Sequence, residues 1–145
     1  MEPRLSLITL GVRDLARATA FYEALGFPRR LPEAERVAFF QLNGLGLSLF
    51  PLEDLAADSG QKPTSLSAFR GMAIAHNVRS PSDVDKIISR WEGLGGQLVR
   101  GPSERAWGGY TGYVADLDGH LWEIAWNPAF PLDEAGNLSV PERLG

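Results

Sequence analysis

Hydrophobic and polar positions alternate in short runs along most of this chain, and two runs of helical period break the alternation. The first helical run, "LARATAFYEALG", places Leu15, Ala18, Phe21, Tyr22 and Leu25 on one face, with Asp14 as its cap and Gly26 as its stop. The second carries Val84, Ile87, Ile88 and Trp91 on one face. Ser80 caps it, Pro81 takes the first helical position, Asp83 completes a capping-box-like pair, and "GLGG" ends it. Each helix follows an apolar alternating run, "ITLGVRDL" or "IAHNVRSP", and each precedes three strand-like runs. In the first half these are Phe27–Leu31, Val37–Leu42 and Leu45–Phe50, the last two joined by Asn43-Gly44, which predicts a type I′ hairpin. In the second half they are Gln97–Arg100, Tyr110–Ala115 and His120–Trp126. The order is therefore βαβββ twice. Residues 52–71 read as a linker with one short helix around Leu52–Ala57, and the proline-punctuated residues 129–145 as a tail that wraps the surface or crosses to a second subunit.

Composition narrows the functional classes. A chain of 145 residues suits a single domain built from two modules, 5–51 and 72–128. The net charge of −4, with no local basic cluster, argues against nucleic acid or an anionic membrane as partner. No apolar run is long enough to span a bilayer and no charged-then-apolar segment opens the chain, so a cytoplasmic location is expected. With no Cys, a disulfide, a thiolate metal site and a cysteine nucleophile are all ruled out.

Paired βαβββ modules that open with "LGVRDLARATAFYEALGF" and close with "ADLDGHLWEIAWNP" resemble the vicinal oxygen chelate superfamily. Glyoxalase I, bleomycin-resistance proteins, extradiol dioxygenases and methylmalonyl-CoA epimerase belong to that group. The resemblance covers roughly Leu5 to Pro128. It implies an α+β fold in which the two modules form a barrel-like curved mixed sheet around a bowl-shaped cavity. It also implies a homodimer, which the apolar Trp122 and Trp126, expected to face away from the cavity, independently suggest.

Strand parity carries that resemblance to individual residues. Side chains alternate across a strand, so Leu7, Thr9 and Gly11 should face the bowl, with Ile8, Leu10 and Val12 on the helix side. Phe39 should lie opposite Ser48 and Gln41 opposite Gly46. In the second half Ala73, Ala75 and Asn77, and Leu121, Glu123 and Ala125, share the bowl face, with His76 on the helix side as a structural histidine. The superfamily's metal-ligand positions then fall on Leu7, Ser48, Ala73 and Glu123, and only Glu123 binds metal ions strongly. No metal and no other cofactor is expected, and the usual metal-dependent glyoxalase or dioxygenase chemistry is disfavoured.

Glu123 is the one acid in an apolar strand, and a buried acid must be paired, protonated or metal-bound. Three roles stay open. It hydrogen-bonds Ser48, Thr9 or a water as a structural group. It acts as a general base beside a carbonyl, in the manner of a lyase or isomerase, since burial disfavours the charged form of a carboxyl and nothing cationic is expected on that face. Or it binds a ligand without chemistry, as in the bleomycin-resistance proteins. The small-molecule ligand would be flanked by Asn77, Phe39, Ser48 and Thr9. Trp107 and Tyr110, in the glycine-flanked stretch "SERAWGGYTGY", would supply a lid, or Trp107 would plug the end of the barrel. Arg100 and Arg105 could attract an anionic group, but isolated arginines are usually solvated.

Overall fold

Side-chain capping sets where the helices begin. In the computed structural model, which describes residues 1–63 and 69–143, Asp14 accepts a hydrogen bond from the Arg17 amide at 2.9 Å and starts helix α1 (Leu15–Leu25). Ser80 starts the longer helix α3 (Pro81–Gly93). Its hydroxyl accepts from the Asp83 amide at 3.3 Å and donates to the Asp83 carboxylate at 2.7 Å, so the expected Ser–Asp pairing forms. Between them a short helix α2 (Leu52–Asp58) follows directly on a strand.

The strands are β1 (Leu7–Val12), β2 (Arg29–Arg30), β3 (Ala38–Gln41), β4 (Gly46–Pro51), β5 (Ile74–Asn77), β6 (Gln97–Glu104), β7 (Tyr110–Ala115) and β8 (Leu121–Trp126). They form two four-stranded mixed sheets, ordered β1-β4-β3-β2 and β5-β8-β7-β6, and neither closes into a barrel. In each, the first strand of the module pairs parallel with the last, and the remaining pairs are antiparallel. The fold is α+β, with the same topology in both halves. The chain divides into two compact units at the same place, residues 1–68 and 69–145. Linker residues 64–68 and tail residues 144–145 lie outside the described residues.

In the first unit Leu10, Val12, Ala38, Phe40, Leu47 and Leu49 are buried on the α1 side of the sheet, together with Ala18, Phe21 and Tyr22 of the helix. The Tyr22 ring sits at the centre, with ring centroids 5.5 Å from Phe21, 5.4 Å from Phe27 and 6.0 Å from Phe40. In the second unit Val84, Ile88 and Trp91 of α3 pack on β6–β8, with the Trp91 and Trp122 rings 5.7 Å apart. The Trp91 indole N–H donates to the Ala115 carbonyl at 2.7 Å, which satisfies the one polar atom this core encloses on that side chain. Gly112 is what lets α3 lie this close, since a Cβ there would come within 2.5 Å of Ile88. Burying side chains of this size stabilises each unit by about 1.5–3 kcal/mol apiece.

Four expectations need correction. The Asn43-Gly44 turn is not type I′. Only Gly44 has a positive φ (65°), the pattern of a type II turn, and all four β3 residues still pair with β4. The strand expected over Phe27–Leu31 shrinks to Arg29–Arg30, because Leu31 turns into the left-handed region at φ 49°. The strand expected over Gln97–Arg100 runs on to Glu104, accommodated by register shifts between Leu98 and Arg100 and between Arg100 and Ser103. Trp122 faces the helix side but is not spare apolar surface, since Trp91 covers it and leaves it 4% exposed. The tail is locally ordered: Leu132 bridges to Leu138, and the Arg79 guanidinium donates to the carbonyls of Leu132, Asp133 and Glu134 at 3.3, 2.6 and 3.3 Å.

Candidate functional site

The turn before β8 aims Glu123. Asp116 accepts the amides of Asp118 and His120, both at 2.9 Å, and Gly119 takes φ 84°, so "DLDGH" reverses tightly and fixes the β7–β8 register. That register sets Tyr113 directly across from Glu123 and Thr111 across from Ala125. Alternation then gathers Thr111, Tyr113, Glu123, Ala125 and, from β5, Ala75 and Asn77 on the face opposite Trp122 and Ile124.

On this face the Thr111 hydroxyl donates to Glu123 Oε1 at 3.1 Å. Tyr113 is held above its ordinary phenol value of 10.0. Burial is the first cause, the charge of Glu123 and hydrogen bonding to it come next, and Arg105 and Arg100 pull the other way. Among the described residues no Lys, Arg or His lies within ion-pair distance of Glu123. The two arginines nevertheless stand close enough to act on Tyr113, and Arg105 donates to the Thr111 carbonyl at 3.1 Å. The expectation that nothing cationic borders this face is corrected accordingly: β6 is long enough to bring Arg100 and the segment ending at Arg105 alongside β7.

The hydroxyl partners expected for Glu123, Ser48 and Thr9, are instead bound to each other. Their oxygens are 2.7 Å apart in the first unit, where Phe39 lies opposite Ser48 and Gln41 opposite Gly46 in the expected register. Thr9, Phe39 and Ser48 thus share one face of the first sheet, and Asn77 and Glu123 share one face of the second.

Tyr110 does not join Glu123. It lies on the α3 side, where its hydroxyl donates to Asp85 at 3.0 Å, and that hydrogen bond is the first cause of its raised pKa. The reason is parity: Tyr110 is one residue from Thr111, so the two point to opposite faces. Trp107 sits at the tip of the β6–β7 hairpin, closed by Arg105 N–H to Gly109 carbonyl at 2.8 Å. Its ring covers the Gly109 backbone and remains 53% exposed. His76 shares the face of Trp122 and Ile124, as parity predicts, but on the edge strand β5 it is exposed and not enclosed in the core as Leu10 is; the partial desolvation that remains lowers its pKa from 6.5.

Thr111 and Tyr113 were not among the residues expected at this site. The signal was present in the "YTGYVA" alternation, but using it required the turn length that Asp116 sets, which fixes which β7 residues oppose Glu123.

The metal-ligand positions implied by the superfamily resemblance do not fit a metal ion. Leu7 offers no donor and packs within 2.5 Å of where a Gly46 Cβ would stand. The Ser48 hydroxyl, 1% exposed with its residue, is engaged by Thr9. Ala73, just before β5, has no donor either. Within either unit no three His, Cys, Asp or Glu side chains gather closely enough to hold an ion, among the described residues.

The profile of the Glyoxalase/Bleomycin resistance protein/Dioxygenase superfamily matches residues 4–124, and the chain belongs to that superfamily. It is similar to the crystal structure of a glyoxalase-related enzyme from Fulvimarina pelagi, at 38% identity and a TM-score of 0.85 over 94% of this chain and 97% of that one. A hypothetical protein from S. aureus is 25% identical, with a TM-score of 0.76 over 88% and 95% of the two chains. A fosfomycin resistance protein from Listeria monocytogenes is 27% identical, with a TM-score of 0.68 over 88% and 95%. No helix among the described residues is long and apolar enough to cross a membrane.

Proposed function

We propose that this protein binds a small carbonyl compound against the face carrying Glu123, and that Glu123 abstracts a proton next to the carbonyl, as in a lyase or isomerase. The observation that supports this most directly is the Glu123 carboxylate itself. It stands on a strand among hydroxyl groups, with Thr111 donating to it and Tyr113 across from it, and with no cation in ion-pair distance among the described residues. A carboxylate held by neutral hydroxyl donors still has acceptor lone pairs on its two oxygens, and one of these can take a substrate proton. The similarity to a glyoxalase-related enzyme over nearly the whole chain is in keeping with this reading.

The chemistry would run without a resident metal, because three of the four implied ligand positions lack a usable donor. Elemental analysis after dialysis against zinc, nickel and iron checks this: less than a stoichiometric ion is expected. One ion per chain that is lost in Glu123→Ala would overturn it.

A second reading has its own observation. The half-exposed Trp107 at a hairpin tip offers an aromatic face for stacking, which suits a non-catalytic drug- or metabolite-binding protein of the bleomycin-resistance kind. The two readings part in deuterium oxide. A panel of small 2-oxo acids, hydroxyketones and thioesters is incubated with protein and followed by proton NMR. Catalysis gives deuterium incorporation next to a carbonyl that disappears in Glu123→Gln. Saturable binding with no exchange in either form assigns the binding role. We also propose a two-fold homodimer, consistent with the exposed apolar Leu98 and Val99 on edge strand β6; sedimentation at micromolar concentration is the check.

A further inference from the structure

We propose that the pocket at the hairpin end of the first sheet is a binding site for a small anion-headed molecule with an apolar body, with Arg30 as the group that reads the anion. The pocket encloses about 320 Å³ and is built entirely from the first unit. Leu7, Leu31, Phe39 and Leu45 line it with apolar side chains, and among the described residues Arg30 is the only charged one lining it. It shares Phe39 with the ligand-binding face expected in this unit, and the proposal rests on the reading that this protein binds small molecules. What it adds is the class of ligand and the residue that selects it.

Arg30 is free for the task. Its one hydrogen bond is a donation from Nη1 to the Arg29 carbonyl at 3.2 Å, and among the described residues no carboxylate lies within ion-pair distance. A guanidinium keeps its charge at any physiological pH and offers a fork of donors matched to a carboxylate or phosphonate. Here it does so beside an aromatic ring and leucines in a chain whose net charge is −4, so the local sign is set against the global one. The neighbouring Leu31 is the only non-glycine residue with a left-handed φ (49°) among the described residues, a conformation sterically unfavourable for a leucine. It places the Leu31 side chain at the pocket beside Arg30. A volume of this size holds roughly ten non-hydrogen atoms at about the space a liquid water occupies, at the small end of ligand cavities. That suits a short aryl or branched alkyl carboxylate and excludes a nucleotide.

The test uses two probes of one shape, 3-phenylpropionate and its neutral amide, titrated into nitrogen-15-labelled protein and followed by backbone amide spectra. The expected result is saturable shifts at Leu31, Gly44 and Gly46, with the carboxylate bound at least about tenfold more tightly than the amide, as a charge-assisted hydrogen bond predicts. Arg30→Gln should reduce that preference to within about twofold, and Arg30→Lys, which keeps the charge without the fork, should retain part of it. Equal affinity for the two probes, shifts confined to other residues, or no saturable shift overturns the proposal. Repeating the titration with Glu123→Gln separates the two readings. If the pocket binds as before while carbonyl exchange is absent from both forms, the Glu123 chemistry fails alone; if exchange depends on Glu123 while Arg30→Gln changes nothing, the pocket fails alone.

Discussion

The two halves of this chain share a topology and differ in what they put at one equivalent place. In the first sheet, the central position of the last strand is Ser48, buried and closed on itself by the Thr9 hydroxyl at 2.7 Å. In the second it is Glu123, half-buried and met by Thr111 and Tyr113 from the neighbouring strand. A neutral hydroxyl pair spans parallel strands β1 and β4 in one unit; in the other, a carboxylate faces Ala75 of β5 and finds its partners across the antiparallel pair. The same strand order is therefore built with and without an acid. Topology does not require Glu123, and a half-buried acid that the fold can do without is the better candidate for function.

The largest effect expected from breaking this asymmetry is on activity. Glu123→Gln should lower carbonyl proton exchange by about 10²–10⁴-fold if the carboxylate is the base, while the melting temperature moves little. Ser48→Ala, its counterpart, should leave exchange within about tenfold and cost about 1 kcal/mol of stability by stranding the Thr9 hydroxyl. If the two substitutions lower exchange equally, the halves are not functionally distinct.

The cores differ as well, and there the expected effect is on stability. The first unit relies on a cluster of single rings around Tyr22, the second on the Trp91–Trp122 contact and the bond from Trp91 to the Ala115 carbonyl. Trp91→Ala should cost about 3–5 kcal/mol, measured by chemical denaturation. Trp91→Phe keeps a ring but strands that carbonyl, and should cost less than the alanine variant while still destabilising.

Smaller still are the helix caps. Asp14→Ala and Ser80→Ala should each cost about 1 kcal/mol. Ser80→Ala should be the more damaging, because it also removes the partner that most lowers the Asp83 pKa. Equal losses in the two would mean that the Ser80–Asp83 pairing adds nothing beyond an ordinary cap.

How much of this was legible in the sequence follows from the range of the interactions. The helices and their caps were, since an Asp or Ser ahead of a 3.6-residue period is a local signal. The faces of the strands were too, because alternation is local and the Phe39–Ser48 register needed only a two-residue turn. The turn type was not, because Asn tolerates both ordinary and left-handed φ and the choice falls to the flanking strands. Residue by residue, the surroundings of Glu123 were legible only in part. Its face could be read from parity, but its partners could not, since Thr111 and Tyr113 become neighbours only through the turn that Asp116 braces. Loop composition groups Tyr110 with Trp107, but β7 begins at Tyr110 and its parity takes it to Asp85.

His76 has its counterpart in Leu10 of the first unit and gives a pH signature that the first unit lacks. Desolvation lowers its pKa from 6.5, so the unfolded chain binds the proton more readily than the folded one. Stability should therefore be fully present above 6.5 and decline as pH falls through it toward the lower folded value. Replacing His76 with Gln should flatten that part of the curve. A slope unchanged by His76→Gln would assign the acid loss to other groups.

The smallest effect is the most specific. Tyr113 and Tyr110 lie on opposite faces of β7 and both titrate above 10.0, but for different first reasons: burial for Tyr113, with the charge of Glu123 second, and the hydrogen bond to Asp85 for Tyr110. A raised phenol pKa contributes stability that is present below 10.0 and lost as pH rises through the folded value. Glu123→Gln removes the charge and leaves the burial, so Tyr113 should titrate lower than in the native protein, and Tyr110 should not move. Asp85→Asn should do the reverse, lowering Tyr110 alone. Carbon-13 labelling of the ring next to the hydroxyl resolves the three tyrosines and reads both titrations in one sample. If Tyr113 titrates identically in the native and Glu123→Gln proteins, the carboxylate does not face it, and the orientation that makes Glu123 the candidate base fails with it.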